Sequence, residues 1–157
     1  MTPAQQAALE TVAGRTLTGE EVAAIDPLLP VRNDVAIAAI LSVGRTRIES
    51  KQIGRGTILA VMAPMGGLFL GALRDIGDIR PRTMDSANVA EVVGLIDRGE
   101  FDVGMEASRA QLQIFAAANV NMAPGIAALL AVAEVANPIH YNTVSDALNI
   151  AEGRLTL

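Results

Sequence analysis

The sequence predicts an all-α protein: a compact bundle of about seven or eight short helices in one domain over residues 1–157, with one short strand or extended loop near 45–53. Three observations carry this expectation. Hydrophobic residues make up 51% of the chain and aromatics only 3%, so Ala, Leu, Ile, Val and Met must build the core, an alphabet suited to helices packed through small side chains. Capping residues and glycine stops recur at helix-length intervals. The linkers between them are short, and no Ser/Gly tract or charge run divides the chain.

Thr2-Pro3 provides an N-cap followed by proline at the first helical position, and this first helix stops near Gly14. Thr18-Gly19-Glu20-Glu21 is a capping box, opening a helix that carries Val22 and Ile25 on one face and ends at Pro27. Asn33 caps a third helix, with Ile37, Ile40 and Leu41 inward, ending near Gly44. Ile48 and Ile53 among charges give 45–53 its strand-like character. Helices are expected from Thr57 to Ala63 and from Met65 to about Arg74. Asp85 or Ser86 caps the next, through Val89, Val92, Val93 and Ile96, closed by Gly99. Residues 106–118 are helical, with Leu112 and Phe115 three apart. Pro124 opens a helix ended by Asn137-Pro138, and Thr143 caps a last one stopped by Gly153. The expected core is Val22, Ile25, Ile37, Ile40, Leu59, Phe69, Leu73, Val92, Ile96, Leu112, Phe115, Ile126, Leu129 and Leu130.

Two runs, 56–73 and 116–133, carry no charge. As one straight helix the first would just cover a hydrocarbon core of roughly 30 Å. Pro64 and the Gly66-Gly67 pair interrupt it, leaving halves of roughly 10–15 Å by helical rise, and Pro124 with Asn119 and Asn121 interrupts the second. Both therefore read as core helices, and no membrane partner is expected. Membrane helices do tolerate proline, so a holin-like reading is the alternative. Gly66, Gly67, Gly71 and Ala72 would let backbones approach closely, within the domain or across a subunit contact. Met62-Ala63-Pro64 and Met122-Ala123-Pro124 echo each other weakly.

Charge is unevenly placed. Residues 1–44 hold two Arg against five acids, 45–82 six Arg and Lys51 against three, and 83–157 three Arg against nine, so the local charges are −3, +4 and −6 within an overall −5. A net-acidic chain with one basic segment lacking aromatics is a poor nucleic-acid binder, and none is expected as a partner. The segment 45–55 reads either as a solvated loop or as a docking patch. On the second reading, Arg45, Arg47, Lys51 and Arg55 would meet Asp97, Glu100, Asp102 and Glu106 of a neighbour, and these eight are the candidate protein interface. The absence of cysteine removes disulfides and thiolate chemistry, and MTPAQQAALE lacks the pattern of a secretory signal.

No constellation points to catalysis, a cofactor or a metal. His140 and Tyr141, the only residues of their types, are adjacent after Pro138, and with Asp146 they are the sole candidates for an enzyme site. Adjacent residues rarely converge on one reacting atom, and no second His completes a metal site. The four acids of 97–106 do not follow a calcium loop. Gly54-Arg55-Gly56-Thr57, with Thr57 as cap, resembles an anion-binding helix start but lacks the lysine and spacing of a phosphate loop. An apolar-ligand carrier would instead show a closed pocket lined by Met62, Phe69, Phe115 and Met122.

Taken together, NDVAIAAILSVGRTRI (33–48), IGRGTIL (53–59), LIDRGEFDVGMEASRAQL (95–112), AVAEVANPI (131–139) and TVSDAL (143–148) resemble a family of small virion-associated proteins from the structural gene modules of tailed bacteriophages. The resemblance touches most of the chain in patches and carries no active-site residues. It implies a non-enzymatic structural or assembly protein of the tail, neck or head, found in the virion and, during assembly, in the host cytoplasm. Its partners would be other virion proteins and further copies of itself.

Overall fold

A computed structural model describes residues 1–155, and its chain is mostly helical. Among the described residues there are nine α-helices, close to the seven or eight expected. The chain divides into two compact units, one of residues 1–47 and 136–157, the other of residues 48–135.

The first unit contains α1 (Pro3–Ala13), α2 (Gly19–Ile25), α3 (Asp34–Leu41) and, from the far end of the chain, α9 (Tyr141–Ala151). Its helix starts follow local sequence closely. Thr2 and Gln5 form one capping box, Thr18 and Glu21 a second, and Asn33 accepts the Ala36 N–H at 3.2 Å. The last start differs from expectation: His140, rather than Thr143, caps α9, its Nδ1 accepting the Asn142 N–H at 3.2 Å. Leu9, Ile25, Ile37 and Leu41 join Val144 and Leu148 in one core. Around it, Glu152 accepts hydrogen bonds from Gln5 at 3.0 Å and Arg32 at 2.9 Å. Arg32 makes that reach from a left-handed backbone, φ 50°, a conformation that disfavours side chains other than glycine.

The second unit runs from β2 (Gln52–Ile53) through α4 (Arg55–Val61), α5 (Gly66–Gly77), α6 (Met84–Arg98), β3 (Phe101–Asp102) and α7 (Glu106–Ala118) to α8 (Ala123–Ala131). Strands β1 (Thr46–Ile48) and β4 (Glu134–Ala136) span the two points where the chain passes between units. β2 pairs antiparallel with β3, Gln52 opposite Asp102 and Ile53 opposite Phe101. The extended stretch near 45–53 is thus two short strands, and the helix expected to reach Asn137 ends at Ala131 before β4.

Pro64 divides the first uncharged run as its missing N–H requires, with α4 and α5 on either side. Gly66 lets the two helices touch: an added Cβ would lie 2.8 Å from the Ile58 carbonyl oxygen and 2.9 Å from Leu59 Cα. Gly67 and Gly71 have open space instead, so the close approach rests on Gly66. Thr83, two residues before Asp85 and three before Ser86, caps α6 in a box with Ser86. The core contains Ile58, Met62, Phe69, Ile96, Leu112, Ile126 and Leu129. Leu59, expected there, is exposed, and Phe115 is only partly buried.

Candidate interaction surfaces

The oppositely charged residues do not form two intact blocks. Arg45 and Arg47 belong to the first unit, whereas Lys51, Arg55 and all four acids belong to the second. The Arg45 Nη1 donates to the Ala13 carbonyl at the end of α1, which places a cation at that helix's negative pole. Arg47 lies exposed in β1. Arg55 opens α4 with its Nε 3.9 Å from Asp97 Oδ1, and the same carboxylate takes Arg74 Nη2 at 3.1 Å. Glu100 pairs with Arg98 at 2.8 Å, and Glu106 sits in the first turn of α7, where a negative charge complements the dipole.

Asp102 is the most engaged of the acids. It accepts from the Ser50 hydroxyl, from the Lys51 N–H at 2.8 Å and from the Gly104 N–H at 2.7 Å. The Ser50 hydroxyl first, then the Lys51 N–H, hold its carboxyl below the usual range. The pairing of β2 with β3 creates this arrangement by laying Ser50–Ile53 beside Phe101–Gly104. Sequence spacing contains no signal for it. Asp97 and Asp102 thus have partners within their own unit.

The glycine-rich start of α4 has a structural explanation. Gly54, not Thr57, is its N-cap, and a Cβ there would lie 3.1 Å from Gly99 Cα and 3.3 Å from the Ile96 carbonyl oxygen. A side chain there would crowd the end of α6, which passes this close. His140 is engaged as the cap of α9, its ring centroid 4.5 Å from that of Tyr141, and Asp146 lies exposed on the same helix. Among the described residues, no group of three His, Cys, Asp or Glu is placed to hold a metal ion, and no helix is long and apolar enough to cross a membrane.

Two apolar features of the second unit remain. The first is a group of exposed apolar residues drawn from the two uncharged runs. α4 packs on both α5 and α8, with Gly125 against the Met62 side chain, its closest approach to an added Cβ being 3.2 Å. The two uncharged runs therefore lie side by side. Their exposed residues include Leu59, Ala60, Ala63, Pro64 and Leu68 from one, and Pro124, Ala127, Ala128 and Ala131 from the other.

The second is a cleft of about 530 Å³ between α5, α6 and α7. Phe69 and Leu73 supply one wall, Val89, Val92 and Ile96 another, and Leu112, Ile114 and Phe115 the third. The Phe69 and Phe115 rings meet edge to face, their centroids 5.4 Å apart, an arrangement favoured by the aromatic quadrupole. Asn88, Gln111 and Asn119 bring amides to the lining, and Asp85 is its one charged residue. A ligand carrier was expected to show a closed pocket lined by Met62, Phe69, Phe115 and Met122; this cleft is open, and it contains Phe69 and Phe115. Met62 and Met122 are not among its lining residues: Met62 is buried in the core against Gly125.

Comparison of the chain with protein-family models, with curated proteins and with solved structures gives no match.

Proposed function

We propose that this protein is a non-enzymatic structural or assembly component of a bacteriophage virion, seated in the tail, neck or head and acting through protein–protein contacts. The observation that carries the reading is the set of exposed apolar residues on the two uncharged runs, where Leu59 of α4 and Leu68 of α5 are 46% and 62% exposed amid alanine and proline. Clustered exposed apolar residues mark contact sites more often than scattered ones do. Small side chains let a neighbouring backbone come close, and apolar side chains bring no ion to desolvate. The neighbours are other virion proteins and further copies of this chain, and the exposed charges around the apolar surface would set register and encounter rate. Mass spectrometry of purified virions tests the proposal. The polypeptide should be present at a fixed copy number relative to the major capsid protein, and its absence from intact particles rejects the reading.

A second reading, a binder of apolar ligands, is favoured by the cleft between α5, α6 and α7. It does not depend on a place in the particle.

A further inference from the structure

We draw no further inference here: the strongest candidate, the open apolar cleft between α5, α6 and α7 of the second unit, carries nothing because nothing in the structure shows what covers it.

Discussion

The Asp102 carboxylate accepts the Lys51 backbone N–H at 2.8 Å, joining two residues 51 positions apart within one unit. Both belong to the charge blocks that the sequence offered as halves of a contact between neighbours. Removing the acceptors by Asp102→Ala should cost about 0.5–1.5 kcal/mol. Amide exchange at Lys51 and Gly104 should accelerate first. Because the Asp102 carboxyl is held below its ordinary value of 3.8, its contribution is complete above that pH and is lost as pH falls through the lowered value. Unchanged exchange at both amides in the variant would contradict this role.

Neighbouring glycines at the start of α5 should respond with opposite signs. Gly66→Ala drives a methyl against the Ile58 and Leu59 backbone and should destabilise by about 1–3 kcal/mol. Gly67→Ala meets open space inside a helix and should stabilise by roughly 0.5–1 kcal/mol. Urea unfolding of the pair compares them directly, and equal midpoints would refute the packing described for Gly66.

At α2, the Arg15 guanidinium, aided by the Thr18 N–H, lowers the Glu21 carboxyl from 4.5 to about 2. Arg15 Nη1 lies 2.7 Å from Glu21 Oε2. A lowered carboxyl contributes above pH 4.5 and loses that contribution between 4.5 and about 2. Thr18→Ala should cost about 1 kcal/mol through loss of the cap. Glu21→Gln should flatten the acid limb of the stability profile, and an identical acid limb in that variant would exclude the assignment.

Self-association, if it uses the exposed apolar residues of the two uncharged runs, should fall when Leu68→Glu is introduced, because a carboxylate would have to be desolvated at the contact. Leu68 is 62% exposed, so the helical circular-dichroism signal should persist. Sedimentation at low and high salt reads the outcome. Arg45→Glu is a poorer probe: its guanidinium holds the Ala13 carbonyl, and reversal would disturb the first unit itself. An unchanged association state for Leu68→Glu removes this surface from the contact.

Local chemistry was legible in the sequence where it acts over a few residues. Gly14, Gly44, Gly99 and Gly153 were read as helix stops, and all four have the left-handed backbone that ends a helix. The Thr18 box, the Asn33 cap and the break at Pro64 were equally readable. Caps at Thr83 and His140 were missed because several polar residues in a row can serve, and the path of the preceding chain selects among them. Leu59 has core chemistry and helical spacing, but its side of α4 is not covered. Of the four residues that the ligand-carrier alternative would place in a closed pocket, Phe69 and Phe115 line the cleft. Its other walls come from residues whose proximity only the packing of α5, α6 and α7 creates.

Synthesis imposes an order on the first unit. Its core needs Val144 and Leu148 of α9, yet residues 48–135 must emerge after α3 before that helix exists. At roughly 5–20 residues per second, α1, α2 and α3 wait on the order of ten seconds with Leu9, Ile37 and Leu41 lacking their final cover. The second unit is complete in sequence before that wait ends. A chain truncated after residue 135 should therefore carry a folded later segment and an unprotected earlier one, so that limited proteolysis of it cuts first within residues 1–47.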